Sequence, residues 1–439
     1  MKWRTTGLRC FAAALYLSIV TPAIAQAPQP PQTKTPIQHF IVLLEEKRSF
    51  DSYFGAYPGA AGIPADACVK LSKDSDTCTK PYTADQLKVI SLSESVRKYT
   101  DFTTLAYYTD KQIPYYWNVA EHYVLFDRYF SSASNTTNAL IWNKMFLIAG
   151  VSGTSPRIPP QGYGDLQTIF DSLEEQGISW KFYVQDYDPS ITFRSIVSGS
   201  VQPGQVLNVP LVNFPRFVDD PKLAKHIVDL NEYYKDLNQD TLPAVSYITA
   251  YGGSGSTLKS LAVGQRRLKI VMQELMRSRA WDSSALLWTH DGSGGWYDHV
   301  EPARVDSFGL GLRVPAMLIS PYALRGAVDS TQLEHSSILR FIQYNWGLAP
   351  LALRDADANN FLAAFDFQQP PRDAKFLPME RATAIEASLA QSNRSWIFVL
   401  YGGVLVITIT VFAVLMGARV TISTRKPRDP TTTLETPKV

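Results

Sequence analysis

Two short acidic segments carry the residue types most able to do chemistry in this chain. One is the segment 46–51 (EKRSFD), and the other is the segment 291–299 (DGSGGWYDH). Each directly follows an apolar run of the kind that forms a buried strand, at 40–44 and at 285–288. An open α/β sheet binds ligands and metals beyond the carboxyl ends of its strands. Because carboxylates are hard oxygen ligands, the two segments predict one binding site built from both ends of a large domain.

The elements that must position these segments follow an alternating pattern. Strand-like and helix-like stretches alternate along the chain, which is typical of an α/β domain with a mostly parallel sheet. An apolar pattern at helical spacing covers 268–275, a strand is predicted at 285–289, and a further strand at 314–320. The segment 186–242 has several prolines and few periodic runs, which predicts a lid or cap inserted in the sheet.

The amino terminus has the features of an export signal. Three basic residues precede an apolar stretch at 10–20, and small residues stand at positions 23 and 25. This pattern predicts a secretory signal peptide over 1–25, with an uncleaved anchor as the alternative. The segment 26–35 is rich in proline and glutamine, which predicts a flexible lead-in to the domain at 36–378.

The carboxyl-terminal part has the features of a membrane anchor. Residues 396–418 contain no charged side chain, and a stretch of this length can cross a hydrocarbon core of about 30 Å. A basic tail follows at 419–439, and excess positive charge favours the cytoplasmic side. We therefore expect a single-pass protein of the cell membrane with its large domain extracytoplasmic. Residues 379–395 are predicted to form a juxtamembrane helix; a buried core helix is the alternative for the apolar stretch.

Charge and cysteine usage limit the partners and the compartment. The chain has 42 basic and 40 acidic side chains, so its net charge offers no reason to expect nucleic acid as a partner. Cys68 and Cys78 lie in a polar loop, where an oxidising compartment favours a local disulfide. A two-cysteine zinc site is the weaker alternative, because no histidine lies nearby in the sequence to complete the ligands.

Longer stretches around the two acidic segments resemble the bacterial phosphoesterase family, which contains phosphatidylcholine-type phospholipases C and an acid phosphatase group. Residues 37–55 resemble the family's E-N-R-S-F-D-x-Y-F-G motif, and residues 291–299 resemble its D-E-x-G-G-x-Y-D-H-V motif. Further similar blocks follow in the family's order, at 115–130, 309–322, 335–341 and 365–372. The resemblance implies an alkaline-phosphatase-like, doubly wound α/β fold. It also implies hydrolysis of phosphate esters with a divalent metal and a Ser or Thr nucleophile.

The resemblance assigns roles to some residues and departs from the family at others. Glu46 and Asp291 match metal-binding acidic residues, and His335 matches a histidine at the family's active site. Lys47 stands where the family has a metal-binding asparagine, and Gly292 replaces an acidic residue. The Lys47 ammonium is a candidate replacement for a metal charge or a direct ligand of phosphate.

Three further residues and the nucleophile are assigned in the same way. Asp298 and His299 match the D-H pair of the second motif as supporting groups. His290 is either an additional ligand or a hydrogen-bonded core histidine. At the family's nucleophile position this chain has a leucine, so the nearest upstream hydroxyls make Thr137, and then Thr136, the candidates. Either threonine could instead be a helix cap without chemistry.

These observations lead to one main hypothesis and one alternative. The main hypothesis is a membrane-anchored, extracytoplasmic hydrolase of phosphate esters, phospholipase C-like or acid phosphatase-like. In it Thr137 or Thr136 is the nucleophile, Glu46 and Asp291 hold a divalent metal, and Lys47 and His335 bind phosphate or transfer protons. The alternative is a non-catalytic protein on the same scaffold that binds a phosphorylated ligand or a partner at the membrane.

Overall fold

The computed structural model describes residues 32–69, 78–86, 105–133, 139–153, 157–196, 204–250, 258–294, 296–381 and 401–414. Its helices are α1 (Phe50–Phe54), α2 (Pro114–Ala120), α3 (Ala139–Ala149), α4 (Ile169–Glu175), α5 (Gly204–Asn208), α6 (Pro215–Asp219), α7 (Pro221–Ala224), α8 (Asn231–Asn238), α9 (Leu258–Arg277), α10 (Ser336–Trp346), α11 (Leu353–Asp357) and α12 (401–414). Its strands are β1 (His39–Glu45), β2 (Tyr82–Thr83), β3 (Ala106–Tyr107), β4 (Val124–Phe126), β5 (Tyr129–Phe130), β6 (Trp180–Val184), β7 (Ile227–Asp229), β8 (Val245–Thr249), β9 (Ser284–His290), β10 (Ala316–Ile319), β11 (Ala327–Asp329) and β12 (Leu333–Glu334).

Eight of these strands form one sheet in the order β11-β4-β10-β9-β1-β8-β6-β7. Every neighbouring pair is parallel except the two that involve β10, which runs antiparallel to both β4 and β9. The predicted α/β class with a mostly parallel sheet is therefore confirmed. The central strands β1, β8 and β9 are apolar and almost wholly buried, as expected for parallel strands covered on both faces.

The elements predicted around the second acidic segment are present. The apolar pattern at 268–275 lies within α9, which buries Leu268, Val271, Met272 and Leu275 and leaves Ile270 exposed. This one-sided burial is what an apolar repeat near 3.6 residues predicts. The strands predicted at 285–289 and 314–320 correspond to β9 and β10.

The segment predicted as a cap lies only partly outside the sheet. Its residues 227–229 form β7, which pairs in parallel with β6 and makes the edge strand of the main sheet. The rest of the segment includes the short helices α5 to α8. The segment 186–242 therefore does not form a cap over its whole length, because backbone pairing with β6 holds residues 227–229 in the sheet. Only the first half of the segment remains a candidate cap.

The disulfide predicted between Cys68 and Cys78 is confirmed, with the two Cα atoms 5.4 Å apart. Of the predicted lead-in at 26–35, only residues 32–35 are described, and the last two contact the domain. The Lys34 amide donates to the Asn345 carbonyl oxygen over 2.9 Å, and the Thr35 hydroxyl donates to the Asn345 side chain over 2.7 Å. These bonds attach the last residues before the domain to α10.

The predicted targeting segments lie mostly outside the described residues. The signal peptide at 1–25, most of the juxtamembrane segment at 379–395 and the tail at 419–439 are not described. Within the predicted span at 396–418, residues 401–414 form the exposed helix α12. Across the described ranges, no helix combines the length and the apolar character needed to cross a bilayer.

Candidate functional site

The two acidic segments meet at one edge of the sheet. Strands β1 and β9 are parallel neighbours in which Leu44 pairs with Thr289 and Glu45 pairs with His290. Both acidic segments therefore leave the sheet at its carboxyl edge, where α/β proteins bind ligands. The backbone amide of Asp291 donates to the Glu45 carbonyl oxygen over 2.9 Å, which extends the pairing by one residue. The predicted convergence of the two ends of the domain is confirmed.

Asp291 is a fully enclosed acidic residue at this edge. Its carboxylate is fully buried and has two partners. Oδ1 accepts a hydrogen bond from the Lys47 backbone amide over 3.0 Å, and Oδ2 lies 2.9 Å from Nζ of Lys144. The Lys144 side chain is only 4% exposed, so this is a buried ion pair between α3 and the end of β9. A buried carboxylate needs such a partner, because an uncompensated charge in the interior is very unfavourable.

The sequence analysis assigned no role to Lys144, although its sequence context indicated a buried charge. It is the single charged residue of α3, whose sequence is otherwise almost entirely apolar (ALIWNKMFLIA). Lysines are almost never fully buried unless they are paired. A lone cation in an apolar helix therefore indicates a buried acidic partner, but the sequence does not say which one.

Lys47 contacts Asp291 through its backbone, and the predicted role of its ammonium stays a prediction. Its backbone adopts a φ of 45°, which is uncommon for a residue with a side chain. This conformation turns its amide towards Asp291, while its side chain is exposed. Gly294 packs against it so closely that a Cβ added there would lie 2.5 Å from the Lys47 Cβ. The cation beside Asp291 is therefore Lys144, and Lys47 contributes its backbone.

Glu46 is half-buried, and its side chain contacts the predicted cap segment 186–242. Its Oε1 accepts a hydrogen bond from Nδ2 of Asn208, over 3.1 Å. Asn208 is the last residue of α5, so this contact joins the first half of segment 186–242 to the site. The sequence offered no signal for Asn208, because an isolated asparagine has many other uses.

His335 lies where the resemblance predicted, close to Asp291 and Lys144. It immediately precedes α10 and is fully buried; its amide donates to the Ser132 hydroxyl over 3.0 Å. Within the described chain its Nε2 has no hydrogen-bond partner. Burial lowers the pKa of His335 to about 3, with Asp291 acting in the opposite direction and Lys144 in the same direction. The imidazole is therefore neutral at neutral pH.

His290 is fully buried, and its Nε2 has no hydrogen-bond partner among the residues that the structure describes. Its Nδ1 lies 3.0 Å from the Glu46 carbonyl oxygen, and its ring packs edge-on against Tyr53 and Trp288. Burial lowers the pKa of His290 to about 3. The aromatic contacts and the backbone partner favour the core alternative, and the ligand role stays a prediction.

Asp298 and His299 belong to a second group, which we call the Arg313 cluster (Asp51, Asp298, His299 and Arg313). Ligand-type atoms of its two carboxylates and its histidine lie within 4.8 Å of one another, as a metal site would require. Arg313 donates to Asp51 Oδ1 over 2.9 Å and to Asp298 Oδ1 over 2.8 Å. Asp51 Oδ2 accepts from the His299 amide, and Asp298 Oδ2 accepts from the Asp51 amide. Every carboxylate oxygen is engaged, so the guanidinium already supplies the positive charge and the cluster joins the two acidic segments.

The candidate nucleophiles Thr136 and Thr137 lie outside the described residues. The described residues stop at Ala133 and resume at Ala139, the first residue of α3. The Ala133 amide donates to Oδ1 of Asn143, in α3, over 2.8 Å. Asn143 is adjacent in sequence to Lys144. Both ends of the undescribed stretch are therefore attached to the helix that carries the buried cation.

Among the described residues, Glu46 and Asp291 as they are arranged here do not form a site for a divalent metal. Asp291 uses one oxygen for the Lys47 amide and the other for Lys144. A metal ligated by that second oxygen would lie within about 2.6 Å of it, in space that the ammonium occupies. Lysine has no lone pair to offer when it is protonated, and Gly292 has no side chain. Glu46 alone does not make a site for a hard cation that takes six or more oxygen ligands.

Comparison with known proteins shows which proteins this chain resembles along its length. It is 24% identical to phospholipase C B of Mycobacterium tuberculosis, over 83% of this chain and 84% of that protein. It is 26% identical to non-specific phospholipase C1 of Arabidopsis thaliana, over 78% and 74% of the two chains. A solved structure from Vibrio parahaemolyticus, described as in the alkaline phosphatase superfamily, matches with 11% identity and a TM-score of 0.40, over 75% and 71% of the two chains. That likeness is too low to carry the finer fold assignment, which stays a prediction.

One protein-family model matches a long stretch of this chain, which includes both acidic segments and the buried pair of Lys144 and Asp291. It covers residues 37–349, from the start of β1 to beyond the end of α10. This chain therefore belongs to the Phosphoesterase family and is a hydrolase that acts on phosphate esters.

Proposed function

We propose that this chain hydrolyses phosphate esters at the edge where β1 and β9 end, with phospholipids as its substrate class. One observation carries the proposal: the buried pair of Asp291 and Lys144 lies beside His335, whose Nε2 has no hydrogen-bond partner within the described ranges. The names of the similar phospholipases support the substrate class. Carrying their substrate over to this chain is part of the proposal.

The charges of the site suit phosphoryl transfer. The transferred group carries negative charge on its equatorial oxygens, and preorganised positive groups in a dry site stabilise that charge. Lys144 is such a group, because Asp291 holds it in place and the protein excludes water around it. His335 is neutral at neutral pH, so it suits hydrogen bonding to a phosphate oxygen from Nε2–H better than binding as an imidazolium.

The nucleophile in this proposal is Thr137, with Thr136 as the second choice. Its hydroxyl would attack phosphorus, the ester oxygen would leave with a proton, and water would then release the phosphate. The position of the two threonines in the sequence supports this role, since they connect Ala133 to α3. The proposal assigns no step to the predicted divalent metal, because Lys144 engages Asp291 and the Asn208 amide donates to Glu46.

The proposal also includes the predicted location. A signal peptide at 1–25 and a membrane helix at 396–418 would place the domain outside the cytoplasm and next to a bilayer. Phospholipid head groups would then be close to the site. The apolar, uncharged character of 396–418 supports the anchor.

The test is an assay of the full-length chain in detergent micelles on p-nitrophenyl phosphate, bis-p-nitrophenyl phosphate and phosphatidylcholine. Asp291→Asn should reduce turnover by about 100-fold or more, because it releases the buried cation that the site holds. The matched control is Asp219→Asn, which changes an exposed aspartate that pairs with Arg194 and should leave turnover unchanged. Equal turnover of both variants would refute the site. A folded protein that hydrolyses none of the three substrates would refute the enzyme and favour the phosphate-binding alternative.

A further inference from the structure

The ion pair of Lys144 and Asp291 combines features that an ordinary structural ion pair does not need. Both side chains are almost completely buried, and they join the first turns of α3 to the carboxyl end of β9. The other carboxylate oxygen of Asp291 accepts a hydrogen bond from the Lys47 backbone amide. This contact goes with an uncommon backbone conformation at Lys47. Strained backbone of this kind is concentrated at functional sites.

The donors of Lys144 are only partly used. An ammonium group has three N–H donors, and Asp291 is its one partner among the described residues. The Nε2 atom of His335, which is fully buried, also has no hydrogen-bond partner in the described chain. Two buried polar groups with unused hydrogen-bonding capacity beside one carboxylate indicate that a polar ligand completes the site.

The unused donors indicate the class of ligand. Oxygen ligands for a metal are scarce here, since Lys47 and Gly292 supply none and both Asp291 oxygens are engaged. The unused donors of Lys144 instead match an anion with several acceptor oxygens, which describes a phosphate group. A lysine ammonium binds phosphate as a compact point charge.

We infer that the Lys144 ammonium is the resident cation of this site, and that the chain binds and cleaves phosphate esters without a divalent metal. This inference rests on the proposed function and deepens it. Asp291 is then the counter-ion that orients the ammonium, and His335 is a neutral hydrogen-bonding partner of the same phosphate. Glu46 and Asn208 border the site on the side of α5.

The first measurement uses the wild-type full-length chain in detergent after treatment with EDTA. Equilibrium dialysis against Mn²⁺, Ca²⁺ or Zn²⁺ should show far less than one bound ion per chain. Turnover with EDTA and turnover with added metal should agree within about twofold, because no step needs the metal. One bound ion per chain together with loss of turnover in EDTA would overturn the inference while leaving the proposed function intact.

The second measurement is binding of inorganic phosphate by calorimetry. Lys144→Gln should weaken binding by about tenfold or more, as expected when a charge-assisted hydrogen bond is lost. Lys235→Gln is the matched control, because Lys235 is 60% exposed and pairs with Glu232, three residues earlier in α8. Unchanged phosphate affinity in Lys144→Gln would overturn the inference.

The single variant Lys144→Gln could misfold, because it leaves Asp291 charged, buried and without its ion-pair partner. A double variant controls for this. Lys144→Gln combined with Asp291→Asn removes both charges and leaves two amides that can hydrogen-bond. It should fold, as judged by its circular dichroism, and still bind phosphate at least about tenfold more weakly than wild type. Wild-type affinity in this variant would refute the role of Lys144. If no variant and no wild-type protein shows turnover, the proposed function fails, and the phosphate and metal measurements still decide this inference.

Discussion

Replacing Arg313 with methionine should destabilise the protein more than any surface charge change. Arg313 is fully buried at the centre of the Arg313 cluster, between Asp51 and Asp298, whose side chains are also buried. Its guanidinium also donates to the carbonyl oxygens of Ala61 and Asp127, over 2.9 and 2.7 Å. Methionine fills a similar volume but leaves two carboxylates and two carbonyl groups without this donor.

The expected loss follows from the burial of these partners. Removing one member of a buried ion pair costs about 3–5 kcal/mol, and here two acidic partners lose the same cation. We therefore expect a loss near the upper end, about 5 kcal/mol, which is comparable to the whole stability of a marginal domain. The loss should be smaller at pH 5 than at pH 8. Burial already raises the pKa of Asp298 to about 6, and without Arg313 the native state can relieve the unpaired charge by taking up a proton.

The assay is urea unfolding of wild type and variant at both pH values, and its control uses the same chemical change at the surface. Arg194 makes a two-bond contact with Asp219, over 2.9 and 2.7 Å, but both side chains are more than half exposed. Arg194→Met should therefore cost no more than about 1 kcal/mol. Equal losses for the two variants would refute the reasoning, because burial would then not decide the strength of these ion pairs.

Two further predictions concern pH and the disulfide. The native pKa of His335, about 3, lies below its ordinary value of 6.5, so the unfolded chain takes up a proton first as the pH falls. The free energy of unfolding of the wild type therefore falls as the pH drops below 6.5. Between pH 6 and pH 4, His335→Gln should lose about 2 kcal/mol less of this free energy than the wild type, as measured by urea unfolding. Identical pH dependence of the two proteins would contradict this. Replacing Cys68 and Cys78 together with serine should lower stability by up to about 3 kcal/mol, since the bond closes a short loop. Unchanged unfolding of the double variant, measured against wild type with and without reductant, would show that the loop is not coupled to the folded domain.

The local features of the site were predictable because they depend on nearby residues. Apolar runs before Glu46 and Asp291 predicted the strands β1 and β9, and side-chain burial along α9 follows its apolar repeat. Placing both acidic segments at one edge needed only the rule that parallel strands present their carboxyl ends together. Even the bond between Cys68 and Cys78 was predictable, since few alternatives exist for two cysteines in a short loop.

The partners of the charges were not predictable in the same way. Lys144 and Arg313 are single basic residues among the 42 in the chain, and nothing in the local pattern names Asp291 or Asp51 as their partners. The sequence motif could not show that the Lys47 amide turns towards Asp291 while its side chain is exposed, because that depends on the backbone conformation.

The amino-acid sequence alone therefore determined the class of fold, the edge of the sheet that bears the site, the family and the acidic residues of the two segments. These depend on apolar periodicity and on short motifs, which are local properties of the chain. Only the tertiary structure decided which cation faces Asp291, since α3 and β9 are distant in sequence and meet through packing. It also decided that Asp298 and His299 belong to the Arg313 cluster. The physical reason is burial: a charge in the interior must have a partner, and the fold selects that partner by bringing distant elements together.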